Sequence, residues 1–143
     1  QQHTAVAVMF LDLDGFKRIN DVHGHRAGDA VLVAFGRCLQ QAVGTRYLVA
    51  RLAGDEFVVL LDDLHAPERE CAAVAERIRN AVAAGTTFGE QWLPIQPSIG
   101  VAWQRGTTAD TASLMHAADE AMYAAKRARC GDGDTPTGRD AAR

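Results

Sequence analysis

A chain of 143 residues is long enough for one domain with a true core, and 48% apolar with 23% charged residues is the profile of an ordinary soluble globular protein. The formal net charge of −3 argues against a nucleic-acid binder, which usually carries a basic stripe. No apolar run approaches the roughly 18–20 residues of a membrane span, and Gln1-Gln2-His3-Thr4 lacks the basic start of a signal peptide and reads as a cut edge.

Ala5 to Leu11 is a continuous Val-rich apolar run, as expected of an interior strand covered on both faces. It gives way to Asp12-Leu13-Asp14-Gly15, after which Phe16 to Asn20 predicts a short helix broken around Gly24. Gly28-Asp29 is expected to open a second helix whose apolar positions Val31, Leu32, Phe35, Leu39 and Val43 share one face, with Gly44 as its stop. Tyr47–Leu52 and Glu56–Leu61 read as strands joined by Ala53-Gly54-Asp55 in a hairpin. Pro67 starts the next helix, with Glu68 and Glu70 in its first turn, a stripe of Cys71, Val74, Ile78 and Val82, and a stop at Gly85. Residues 86–97 resist assignment beyond an irregular strand containing Trp92 and Ile95. Ser98–Trp103 is a further strand. Asp110 caps a last helix with Leu114, Ala117 or Ala118, Ala121 and Ala125 turned inward. From residue 131 onward the chain is polar, Gly-rich and aperiodic, so 131–143 reads as a disordered tail or linker.

The order βααββαβα predicts an α+β fold: a central, mostly antiparallel sheet with helices packed on it and the first strand inside it, since a hairpin forces an antiparallel pair. Cys38, Cys71 and Cys130 are odd in number and lack CxxC spacing, which favours reduced thiols in a cytoplasmic domain over a disulfide framework or zinc site. His3, His23, His65 and His116 form no metal-ligand spacing.

Acidic residues carry the chemistry. Asp12 and Asp14 follow the first strand, and strand alternation is taken to point them to opposite faces, leaving one to serve a given site. Asp55 and Glu56 lie at the hairpin tip. If the hairpin pairs beside the first strand, two or three carboxylates meet, which is unfavourable without a cation. Mg²⁺ prefers oxygen ligands and phosphates, the usual equipment for phosphoryl transfer. Taken singly, an Asp-x-Asp after a strand is ordinary turn chemistry and Gly-Asp an ordinary hairpin signal. The joint pattern carries more weight.

Asp12-Leu13-Asp14-Gly15-Phe16-Lys17-Arg18-Ile19-Asn20-Asp21, Gly24 to Asp29, Arg51 to Phe57, Ser98 to Ala102 and Ala118 to Lys126 occur in the order and spacing of the GGDEF family of diguanylate cyclases, which the chain resembles over residues 5–130. The resemblance implies a nucleotide-cyclase or polymerase-palm-like fold and condensation of two GTP into cyclic di-GMP with release of pyrophosphate. It implies two Mg²⁺ (or Mn²⁺) ions held by Asp12, the backbone carbonyl of Leu13, Asp55 and Glu56. Asp55, Glu56 and Lys17 would be catalytic, Asp55 easing deprotonation of the attacking 3′-hydroxyl. Asn20 and Asp29 would read guanine, which disfavours an ATP cyclase, and Lys17 and Lys126 would meet phosphate. Gly54 would let phosphate approach the backbone, and His25 would shape its loop. Each of two facing domains would hold one GTP.

Four departures stand out. Ala53 replaces the first glycine of the signature and is expected to be tolerated if its φ is negative. Cys130 stands where the family has a phosphate-binding arginine, with Arg129 one residue away. Gly44-Thr45-Arg46-Tyr47 lacks the Arg-x-x-Asp of product inhibition, so no such inhibitory site is predicted. The leading helix with its Asp-x-Leu-Thr-Gly-Leu segment is absent, so residues 1–130 form the domain without it. An upstream sensor domain is expected, in a longer protein with room for a membrane anchor and for a downstream domain. The competing reading is a catalytically silent GTP-binding module controlling an attached domain such as an EAL-type phosphodiesterase.

Overall fold

The chain forms β1 (Ala5–Leu13), α1 (Phe16–His23), α2 (His25–Val43), β2 (Leu48–Ala53), β3 (Glu56–Leu64), α3 (Pro67–Val82), β4 (Thr86–Phe88), β5 (Gln91–Leu93), β6 (Pro97–Arg105) and α4 (Thr111–Cys130). This computed structural model describes residues 4–106 and 110–130, so the expected tail at 131–143 lies outside the described residues. Four strands pair antiparallel in the order β2-β3-β1-β6, while β4 and β5 make a separate two-stranded hairpin. The α+β reading therefore holds, with β1 in the interior of the sheet.

Alternation along β1 divides the core in two. Ala7, Met9, Leu11 and Leu13 join the side covered by α1, α2 and α3, with Val31, Phe35, Leu39, Val74 and Ile78. Val8 and Phe10 face α4, with Val58, Leu114, Ala118 and Met122. Because both faces are covered, the strand reads as an unbroken apolar run rather than an alternating one. Phe35 of α2 meets Phe57 of β3 edge to face at a centroid distance of 5.0 Å, which fixes that helix behind the hairpin. Cys38 and Cys71 are free thiols within this packing; Cys38 Sγ lies 3.4 Å from the Ala81 carbonyl.

Several boundaries differ from the sequence expectation. Gly24 is the hinge: its N–H donates to the Asn20 carbonyl to close α1, and its own carbonyl accepts from Gly28 N–H to open α2. Helix α1 thus runs on to His23, and α2 starts at His25 rather than at Gly28. Residues 86–97 contain two short strands; Ile95 lies outside both. Asp110 caps α4 as expected, accepting from Ala112 N–H at 3.1 Å and Ser113 Oγ at 2.7 Å. Its buried row, however, is Leu114, Ala118 and Met122, with Tyr123 beside it, while Ala117 and Ala121 are exposed and Ala125 half-buried. The helix lies along an i+4 row, which a stripe chosen for its alanines does not follow. Among the described residues no helix is long and apolar enough to cross a membrane.

Helix α4 touches the sheet backbone to backbone at Gly100, where a Cβ would overlap Met122 N and the Ala118 carbonyl. Gly100 pairs with Phe10 of β1 in the middle of β6, so the overlap cannot be relieved by a loop. Gly100→Ala is expected to cost about 3 kcal/mol through overpacking, read as a lower urea midpoint at unchanged slope; a variant as stable as the parent would contradict this close approach.

Candidate functional site

The C-terminal end of β1 places two carboxylates on one side of the sheet. Asp12 and Asp14 both reach Lys126 Nζ, at 3.4 and 3.9 Å. The expectation that they face apart is therefore wrong: residues two apart on a strand share a face, and it is Leu13 between them that turns into the opposite core. Lys126 arrives there because it is the next member of the Leu114, Ala118, Met122 row. Arg129, one turn further on, brings Nε to 3.1 Å from Asp14 Oδ2, and Ser98 Oγ donates to Asp14 Oδ1 at 2.7 Å. Sequence reasoning missed Asp14, Ser98 and Arg129 as parts of one cluster; strand periodicity and the helical row were the signals that could have found them.

The hairpin supplies the third carboxyl. Asp12 is opposite Glu56 in the β1–β3 register, so the tip folds back onto the end of β1. The Asp55 carboxyl comes up beside that of Asp12, and its pKa is pushed up to about 7, mainly by burial and then by the neighbouring Asp12 carboxyl, against a smaller opposing pull from Lys126. Burial likewise raises Asp14, opposed by Ser98, Lys126 and Arg129. Three carboxyls thus share two cationic side chains, Lys126 and Arg129, which leaves the site short of positive charge. A divalent cation placed there would make up that shortage. Among the described residues no three His, Cys, Asp or Glu side chains converge into a chelating group. Mg²⁺ takes one or two carboxylates and completes its shell with water and substrate phosphates.

The turn itself is well made. Gly54 has φ 52°, Arg51 Nε donates to its carbonyl at 2.8 Å, and Asp63 is the one non-glycine of positive φ among the described residues. Ala53 therefore sits where a methyl costs nothing in backbone strain, as expected. No protein atom comes within 4 Å of a Cβ built on Gly54, so within the protein it is the positive φ that calls for glycine there.

A second group lies at the α1–α2 junction. The Asn20 amide rests directly against Gly28, where a Cβ would overlap Oδ1, and exposed Asp29 is the next residue. Gly28 is a positioning residue that the sequence reading left unassigned. Lys17 is not drawn into the carboxylate cluster; it makes an exposed pair with Asp21 at 3.6 Å. His25 is exposed on the first turn of α2. A cleft of about 700 Å³ opens beside Asp14, lined in part by Gly15, Arg18, His23, Trp92 and Arg129. Helix α1 begins at this cleft, with no side chain capping its first N–H groups. Arg46, expected to stand outside any inhibitory site, lies 3.9 Å from Glu70 and stacks over Tyr47 at 4.9 Å.

The Asp55 proton has a consequence for stability. Its folded pKa lies above the unfolded value of 3.8, so the folded state keeps a proton that the unfolded chain releases. The associated stability is complete below that value and is lost as pH rises through about 7. Without metal, the parent is expected to lose on the order of 1 kcal/mol relative to Asp55→Asn between pH 5 and 8, allowing for partial exposure. Mg²⁺ should restore it at pH 8 and have little effect at pH 5. Parallel thermal-denaturation curves for parent and variant across that range would rule this out.

Residues 1–131 match the family described as "Diguanylate cyclase, GGDEF domain". The chain is 38% identical over 132 residues to the probable diguanylate cyclase DgcF of Escherichia coli, covering 89% of this chain and 41% of that protein. It is 37% identical over 120 residues to the bifunctional diguanylate cyclase/cyclic di-GMP phosphodiesterase MucR of Pseudomonas aeruginosa, covering 84% of this chain but only 17% of that protein. The crystal structure of the GGDEF domain of TpbB from Pseudomonas aeruginosa superposes with a TM-score of 0.81 at 37% identity, covering 92% of this chain and 81% of that one. A palm-like antiparallel sheet carrying its acids at the end of β1 and at the hairpin tip, and a family match across nearly all of the described residues, lead to one assignment: the chain belongs to the GGDEF family of diguanylate cyclase domains.

Proposed function

We propose that this domain condenses two GTP molecules into cyclic di-GMP, with Asp12, Asp55 and Lys126 at the centre of the reaction. The observation that supports this most is the buried Asp12 carboxylate, set opposite the hairpin acids with Lys126 Nζ 3.4 Å away, a site whose charge calls for a cation next to a lysine suited to phosphate. Asp12, Asp55, Glu56 and the backbone carbonyl of Leu13 would hold two divalent ions, Mg²⁺ or Mn²⁺. When bound, such ions polarise the α-phosphate and stabilise the attacking and leaving oxygens.

The chain's own groups do the rest. Asp55 takes the proton of the 3′-hydroxyl as that oxygen bonds to the α-phosphorus of the other GTP and the bond to pyrophosphate breaks. Lys126 meets the triphosphate charge, helped by the uncapped N–H groups of α1 and by Lys17 once its weak exposed pair with Asp21 is broken. Asn20 and Asp29 read guanine: an amide offers donor and acceptor, and a carboxylate accepts from the ring N–H and the amino group. Gly54 keeps the turn open beside the phosphates, and His25 shapes the entrance. Because each domain holds one GTP, two copies must face each other. In the full-length protein an upstream sensor would control that pairing, and a second domain could follow. The intact acids of the hairpin favour a cyclase over a catalytically silent GTP-binding module.

The domain, fused to a parallel coiled coil that pairs two copies, is expected to make cyclic di-GMP from GTP and Mg²⁺, and Asp55→Ala to make none. GTP binding without product in either protein would sink the cyclase reading and favour the regulatory one. For base recognition, Gly28→Ala should push the Asn20 amide aside and weaken GTP binding about tenfold, the worth of one good hydrogen bond, while ATP binding is unchanged. Equal loss for both nucleotides would remove Asn20 from guanine reading.

A further inference from the structure

We infer that Lys126 is a built-in substitute for the metal cation, occupying the carboxylate centre until metal and nucleotide arrive together; this rests on the cyclase reading of the same site. The geometry is that of a placeholder. Lys126 Nζ straddles Asp12 and Asp14 at 3.4 and 3.9 Å, both longer than the roughly 2.7–2.9 Å of a tight charge-assisted hydrogen bond. Its attraction is therefore that of a point charge on a flexible stem, held by the field of the acids more than by directed bonds. Arg129 differs: its Nε is at 3.1 Å from Asp14 and its charge is committed there. The ammonium is nevertheless well shielded, with the Lys126 side chain 14% exposed.

An ion entering between Asp12 and Asp55 must share those acids with the ammonium or displace it. Like charges at that spacing repel strongly in a partly buried site, so without nucleotide Lys126 opposes the ion. With a triphosphate present, the displaced ammonium gains a new anionic partner and the opposition becomes support. Lys126 thereby couples the two ligands, each raising affinity for the other by the same factor. A domain built this way avoids holding metal alone.

Mn²⁺ binding, followed by electron paramagnetic resonance of the free ion, tests this without catalysis. In the absence of nucleotide, Lys126→Met is expected to bind Mn²⁺ about tenfold more tightly than the parent, a coupling of ordinary allosteric size. With a non-cyclisable GTP analogue the order should reverse. Arg127→Met, which removes a cation stacked on Tyr123 from the same helix, should leave the nucleotide-free affinity unchanged and so separates this role from general charge. Equal or weaker Mn²⁺ binding by Lys126→Met without nucleotide would overturn the inference while leaving the cyclase site standing. Absence of Mn²⁺ binding by every protein would remove the cation site itself. The unsubstituted protein gives a second readout: Mn²⁺ alone should speed labelling of the Lys126 amine by an acylating reagent, mapped by mass spectrometry. An unchanged or slower rate would also overturn it.

Discussion

The meeting of Asp12, at the end of β1, with the acids of the hairpin tip is the constraint around which this domain is arranged. A buried acid such as Asp12 does not sit beside the half-buried Asp55 at neutral pH unless something offsets their charge, and the fold offers partial answers: a lysine, and an arginine held to the neighbouring Asp14. Neither is as effective as a divalent ion. The site is thus left short of positive charge, and that shortage is the physical basis for the metal and nucleotide binding proposed above.

Maintaining it requires rigid support on both faces. The β1–β3 register brings the hairpin tip onto the end of β1, and the Phe35–Phe57 contact holds the hairpin from behind. On the other face α4 lies against the sheet backbone at Gly100, so the row Leu114, Ala118 and Met122 delivers Lys126 over the acids. The pair proposed to read guanine belongs to a separate junction, where Gly24 turns the chain and Gly28 admits Asn20 against α2. The acids are thus carried by β1 and the hairpin with Lys126 from α4, and the proposed base readers by α1 and α2.

Much of this was legible in the sequence because its signals are local. The apolar run of β1, the hairpin around Gly54, Pro67 at the start of α3 and the Asp110 cap all act within a few residues. What escaped depends on contacts between distant segments. The inward face of α4 was misread because alanines fit either side of a helix, and only the sheet beneath selects Met122 over Ala121. Asp14 was set aside through a misapplied alternation, which hid its link to Ser98 and Arg129 across 84 and 115 positions of chain. Gly28 looked like a helix start, although its role is set by an amide one helix away. The short β4–β5 pair has too few residues to show any periodicity.

The central claim is that the Asp12–Asp55 pair is a cation site serving GTP. Anomalous diffraction from crystals of the domain grown with Mn²⁺ and a non-cyclisable GTP analogue tests it most directly. The account predicts manganese bound by the carboxylates of both Asp12 and Asp55 and by the triphosphate, with the Lys126 ammonium moved off Asp12 onto phosphate. Nucleotide bound with no manganese at these carboxylates, or with Lys126 still seated between Asp12 and Asp14, would contradict it.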